Sequence, residues 1–103
     1  MGGGKSKIIE EWREGSEWYR VWSDGFIEQG GYEIASQPRQ TITFHKSMTG
    51  TDYTVTFGAV AKDPNFFGVG ALVDSKGTAN MQTHTWSVNE VQAHPFFWEV
   101  RGY

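Results

Sequence analysis

The chain has 103 residues, a formal net charge of −3 and no cysteine. That length sustains one domain with one core. The charge argues against sequence-independent nucleic-acid binding, which needs a basic stripe to displace counterions, and gives no polybasic patch for an anionic membrane. Without Cys there are no disulfides, zinc–thiolate sites or thiol nucleophiles. No run of eighteen apolar residues and no signal-peptide core is present, so no membrane insertion is expected. Five Trp, seven Phe and four Tyr, each ring burying about 150–250 Å², can build a core without a helix. Residues 1–7, Met1-Gly2-Gly3-Gly4-Lys5-Ser6-Lys7, carry no pattern and read as an expression tag or frayed segment, leaving 8–103 as the domain.

Along the chain, period-2 alternation is cut by turn residues every 8–12 positions or so, the pattern of a sandwich or barrel. Ile8 to Arg13 opens a first strand, and Glu14-Gly15-Ser16-Glu17 breaks it. Trp18 to Ser23 alternates Trp18, Arg20 and Trp22 against Tyr19, Val21 and Ser23. Asp24-Gly25 then reads as a two-residue type I′ hairpin turn, pairing Trp22 with Ile27 and Arg20 with Gln29. Gly30-Gly31 marks a bulge or a close approach of another backbone. Gln40 to Lys46 sets Ile42 and Phe44 on one face. After a turn over 47–52, Tyr53, Val55, Phe57 and Ala59 face inward along Thr51 to Val60.

Lys62 to Phe67 is a loop built on Asp63-Pro64-Asn65. Phe67 to Val73 reads as a buried strand, and Asp74 to Asn80 as a polar loop. Met81 to Val88 forms another strand. Phe96 to Arg101 forms the last, with Phe96, Trp98 and Val100 on one face. There is no repeat and no convincing helix. The fold class is therefore all-β, an antiparallel β-sandwich.

The chemistry-bearing residues do not assemble into a catalytic pattern. His45, His84 and His94 are far apart, with no metal-ligand spacing, and each reads as a satisfied or solvent-facing imidazole. No nucleophile elbow, phosphate loop or dinucleotide fingerprint occurs, and neither a cofactor nor a metal is expected. Glycosidases need two carboxyl groups about 5–9.5 Å apart. Here Glu10 and Glu11 point to opposite faces, while Asp24, Asp63 and Asp74 sit where turns favour Asp. No enzyme is expected. Phe66-Phe67 poses a sharper question. Large apolar residues usually fold onto the core or into a subunit interface; the alternative is a ring pointing outward from a binding loop.

The stretch Trp18-Tyr19-Arg20-Val21-Trp22-Ser23-Asp24-Gly25-Phe26-Ile27-Glu28-Gln29-Gly30-Gly31 closely resembles the C-terminal receptor-binding domain of bacteriophage tail fibres. In that family a WYR-x-(W/Y)-SDG-(W/F)-(I/V)-EQGG string opens the domain. Thr41 to Lys46 followed by Thr51 to Val55 is similar to the family's strand, turn and next strand. Phe97-Trp98-Glu99-Val100-Arg101-Gly102-Tyr103 is similar to its closing segment. The resemblance spans residues 12–103. It implies a homotrimeric tip at the distal, extracellular end of a virion's tail fibre, attaching the particle to a bacterial surface saccharide or protein. His45 departs from the Pro that many relatives carry near that turn. The His-x-His motifs by which other fibre tips hold iron are absent, so no metal is carried over.

Four functions follow for comparison: a phage adhesin tip, a stand-alone carbohydrate-binding module, a capsule depolymerase, and a trimerisation cap. The first leads. The aromatic excess, drawn from Trp12, Trp86, Phe96 and Phe97, is expected to close the trimer. Receptor contact is expected from the loops 35–39, 62–67 and 74–80 gathered at one end, with Lys62, Asp63, Asn65, Phe66, Phe67, Gln37, Arg39 and Lys76 as candidates. Lys62 to Phe67 is favoured because Asn65 sets donor and acceptor groups beside an aromatic ring, a pairing suited to a sugar.

Overall fold

The alternating stretches form strands. A computed structural model describes residues 6–88 and 90–103, and among these there are nine strands and no helix. In chain order they are β1 (Ile8–Glu14), β2 (Glu17–Trp22), β3 (Ile27–Glu33), β4 (Arg39–Thr43), β5 (Thr54–Ala59), β6 (Val69–Lys76), β7 (Asn80–Ser87), β8 (Glu90–Val91) and β9 (Phe96–Gly102). One sheet runs β1-β2-β3-β9-β5 and the other β4-β7-β6, with β8 paired to the end of β7. All described pairings are antiparallel. The two sheets face each other across one core, as the alternation implies for a sandwich. Of the segment set aside as a tag, residues 1–5 lie outside the described residues. Lys7 is tied to the domain: its N–H donates to Ser23 Oγ at 3.0 Å, and its carbonyl accepts the Ser23 N–H at 2.7 Å.

The core is the sum of the inward positions. Ile27, Phe96, Trp98 and Val100 from the five-stranded sheet meet Ile42 and Met81 from the other, and Phe44, Met48 and Tyr53 close the gap from connecting segments. Phe44 and Tyr53 pack edge to face at 5.4 Å, as does the Phe57–Phe96 pair at 5.6 Å. Each fully buried side chain of this size contributes about 1.5–3 kcal/mol. Phe96, expected to help close a subunit interface, is instead 1% exposed within its own core. It pairs across the sheet with Glu33 and Ala59, which turns its ring inward.

The first hairpin differs from its expected register by one residue. Val21 pairs with Ile27 and Arg20 with Glu28, so Ser23, Asp24 and Gly25 form a three-residue loop. The Gly25 N–H donates to the Trp22 carbonyl at 2.9 Å and the Trp22 N–H to the Phe26 carbonyl at 2.8 Å. Gly25 has φ +93°, while Asp24 keeps negative φ. This is a type I turn closed by a left-handed glycine, not the type I′ turn. Asp24 stays right-handed because its Oδ1 accepts the Phe26 N–H at 3.0 Å. That bond, ahead of smaller contributions including Tyr103 Oη, holds its carboxyl below the usual range. Gly25→Val is expected to lower stability by about 1–3 kcal/mol, since a β-branched residue would be held at positive φ. A thermal melt unchanged within a degree or so would refute the turn geometry.

Two further expectations are corrected. The run 67–73 is not a buried strand: β6 begins at Val69 and lies on a sheet edge, where Leu72 is exposed. The polar loop over 74–80 shrinks to the turn at 77–79, because Asp74, Ser75 and Lys76 continue β6 past a bulge between Val73 and Ser75. Asp74 thus lies in a strand rather than a turn. Gly30-Gly31 is the close approach rather than the bulge, since β3 pairs without a shift on both sides. The Trp18 ring lies over Gly30, and the Glu17 carboxylate over Gly31.

The registers define two ends. Glu33, Phe96 and Ala59 align at one, joined to the Thr85–Ser87 end of β7 through Thr85 N–H to the Pro38 carbonyl and Gln92 N–H to the Thr85 carbonyl. Lys7, the 23–25 hairpin loop, Tyr103 and the turn at 77–79 lie at the other. The molecule measures 53 × 26 × 21 Å.

Candidate functional site

The connection from β5 to β6 carries the favoured candidates. Its turn forms because the Asp63 carbonyl accepts the Phe66 N–H at 3.2 Å and Asp63 Oδ1 accepts the Asn65 N–H at 2.8 Å. Such a turn uses the short acceptor of Asp and the fixed φ of Pro64. The loop is fastened from behind by His94, which is fully buried. Its Nδ1 accepts the Lys62 N–H at 3.1 Å, and the Phe66 ring stands edge-on to the imidazole at 5.0 Å. The Lys62 ammonium covers the same ring, 5.0 Å from its centre.

Facing this loop is the end of β7. The Val88 N–H donates to the Gly68 carbonyl at 3.3 Å. Val88 has φ +40°, an uncommon and strained conformation for a β-branched residue. Between the two segments lies a groove of about 400 Å³ lined by Asn65, Phe66, Phe67, Ser87, Val88 and Glu90. A second groove of about 390 Å³, lined by Trp86 and Val91, shares Val88 and Glu90 as its wall. The Trp86 ring reaches this position because it lies over Gly70, where any Cβ would collide with it. Phe66 folds back, whereas Phe67 is 73% exposed. The two rings thus divide between the two readings of the sequence.

Burial pushes His94 below its ordinary value, the Lys62 charge adds to that shift, and Asp63 opposes it. The neutral ring is the form that can accept the Lys62 N–H. A lowered pKa in the folded state means the unfolded chain binds the proton more readily. The associated stability is therefore complete above the unfolded value near 6.5 and falls as pH drops below it. We expect the melting temperature to fall from pH 7 to pH 5, and to fall less in His94→Gln. Equal slopes for the two proteins would refute this role.

Six of the eight sequence candidates lie at this end: Lys62, Asp63, Asn65, Phe66, Phe67 and Gln37, whose carbonyl accepts from Gln40 Nε2 at 3.3 Å. Arg39 belongs to β4, on the outer face of the smaller sheet, with Nη1 3.6 Å from Asp74 Oδ2. Lys76 is at the opposite end, its Nζ donating to the Tyr53 carbonyl at 2.6 Å. The three expected loops therefore do not share one end: 62–67 and the 35–39 loop up to Pro38 do, while Arg39 already belongs to β4 and 74–80 lies at the other end. Sequence reasoning missed Trp86, Val88, Glu90 and Val91 because it ran one strand through Val88. The Asn-Glu pair that follows was the available turn signal.

The other histidines are engaged. His45 Nε2 lies 3.1 Å from Glu17 Oε1 and 3.2 Å from the Gly30 carbonyl, with its ring between Trp12 and Trp98. His84 Nδ1 lies 2.8 Å from Asp74 Oδ1. Among the described residues no three His, Cys, Asp or Glu side chains are grouped to hold a metal ion.

No family model matches the chain, and no curated protein does. Solved structures that share its fold include two tail-fibre fragments. An N-terminally truncated R2-type pyocin tail fibre matches with a TM-score of 0.67 at 15% identity, over 94% of this chain and 39% of that one. A C-terminal fragment of the R2 pyocin fibre of P. aeruginosa matches with a TM-score of 0.67 at 15% identity, over 93% of this chain and 26% of that one. The chain spans well under half the length of either. The sandwich expected from the alternation is thus a fold also found in pyocin tail fibres.

Proposed function

We propose that this chain is the receptor-binding tip of a phage or pyocin-like tail fibre, attaching the particle to a bacterial surface saccharide or protein. The observation that carries the reading is the paired groove at the Phe67 end, which lies opposite the end where Lys7 enters the sheet. A shaft preceding Lys7 would leave that end foremost. An aromatic ring beside Asn65, on a loop held by a rigid scaffold, is a setting suited to recognition. The domain binds and does not cleave.

Trimerisation belongs to the same proposal. A threefold ring needs two different patches on each copy, because its contacts are head to tail. Trp12 is exposed on the inner face of the overhanging β1–β2 hairpin, and Phe97 on the outer face of the same sheet. Trp86 is assigned to the second groove instead.

The test is adsorption of the labelled protein to a panel of bacterial strains. Phe67→Ala, a change at an exposed ring, should weaken binding about tenfold and leave the melting temperature unchanged. Retained adsorption after replacing the whole 62–67 loop would overturn the location. A stable monomer in light scattering at micromolar concentration would overturn the trimer. Release of reducing sugar from capsule or lipopolysaccharide, lost on mutating one acid, would overturn the non-catalytic reading.

A further inference from the structure

We infer that the two adjoining grooves are consecutive subsites for a neutral polysaccharide, with Glu90 between them selecting against acidic chains. This rests on the receptor-binding reading and narrows it to one ligand class. The grooves are similar in size, about 400 and 390 Å³, and each carries aromatic surface: Phe66 and Phe67 in one, Trp86 in the other. Sugar rings present a C–H face that packs on an aromatic plane and hydroxyl edges that need polar partners. Val88 and Val91, 49% and 44% exposed, supply further apolar surface. Asn65 supplies a donor and an acceptor. The repeat of aromatic surface on either side of one wall matches a chain of like-sized units better than a single small molecule.

Charge sets the class. Glu90 lines both grooves. Its carboxylate accepts hydrogen bonds from hydroxyl or acetamido groups and repels a uronate or phosphate. The cation of the loop, Lys62, is drawn over the Phe66 ring and does not line either groove. A polysaccharide that carries an acidic group on each repeat would bring like charge against Glu90.

The experiment uses an array of delipidated bacterial surface polysaccharides, neutral and acidic, probed with the intact chain, together with adsorption to cells before and after periodate oxidation and protease. Wild type should bind neutral members alone, Phe67→Ala and Trp86→Ala should each bind about tenfold more weakly, and Glu90→Gln should admit acidic members. A melt of Trp86→Ala separates lost contact from lost folding, and Phe67→Ala, at an exposed ring, keeps the test valid if Trp86→Ala does not fold. Binding of acidic polysaccharides by wild type, or unchanged selectivity in Glu90→Gln, would overturn the inference. So would cell adsorption that survives periodate but not protease, which would leave the receptor reading intact with a protein as receptor. Absence of adsorption to any strain would instead remove the reading on which the inference rests.

Discussion

Gly30→Val is expected to cost about 3 kcal/mol or more, a large part of the 5–15 kcal/mol that holds a domain of this size. Gly30 is crowded from two sides: a Cβ would stand 2.5 Å from the Trp98 carbonyl oxygen and 2.7 Å from Trp18 Nε1. The first neighbour is backbone of the adjacent strand and cannot rotate away. Relief requires β3 and β9 to separate, and these strands carry Trp98 and Val100 into the core. Gly58 is the internal control. It is also a strand glycine opposite β9, yet a Cβ there would meet Phe97 Cβ at 3.7 Å, an ordinary contact. Urea unfolding should separate Gly30→Val from Gly58→Val clearly. Unfolding free energies within about 0.5 kcal/mol of each other, the ordinary scatter of surface changes, would refute the packing at β3.

The second large effect comes from Gln29, whose side chain is fully buried. Its Oε1 accepts the backbone N–H groups of His45 and Lys46 at 2.8 and 3.0 Å, and its Nε2 donates to the Lys46 carbonyl at 2.7 Å. One side-chain amide thus satisfies three main-chain groups of the segment that follows β4. Gln29→Leu fills the space and leaves all three without that partner. Each unsatisfied buried group costs about 1–3 kcal/mol, so a loss of roughly 3 kcal/mol is expected after partial rehydration of the segment. Amide hydrogen exchange gives the specific readout: the His45 and Lys46 amides should lose protection far more than those of β7. Uniform loss across both would show that Gln29 acts only through global stability.

The strands were legible because each buries one face, and a period of two marks which residues those are. Ile42 and Phe44, Val55 and Phe57, and Phe96, Trp98 and Val100 all fall inward as the alternation required. The hairpin register was not legible. Asp-Gly locates a left-handed glycine but does not fix the loop at two residues or three; the Asp24-to-Phe26 hydrogen bond decides that. The apolar composition of 67–73 hid an edge strand, whose Gly70 serves the Trp86 ring. Loop 62–67 was legible as the candidate from its Asp-Pro-Asn turn and from Asn65 standing beside an aromatic ring. Its partner across the groove was not, because Val88 and Glu90 meet it only through the pairing of β6 with β7. The separation of 74–80 from the other two loops likewise depends on strand direction, which composition does not encode.

Glu28 to Gly31 illustrate how little of this surface is free to change. Glu28 accepts from Trp22 Nε1 at 2.8 Å and meets Arg101, Gln29 fastens the next segment, and the two glycines lie under Trp18 and Glu17. All four positions are committed to neighbours, and no sugar or protein target enters into those commitments. Phe67 is exposed, and Asn65, Val88 and Glu90 are held at this end through their own main-chain groups. A combinatorial library should therefore randomise positions 65, 67, 88 and 90 and leave 28–31 fixed. On the proposed receptor-binding reading, retargeting to a new host becomes a matter of a few codons at one end of an unaltered scaffold.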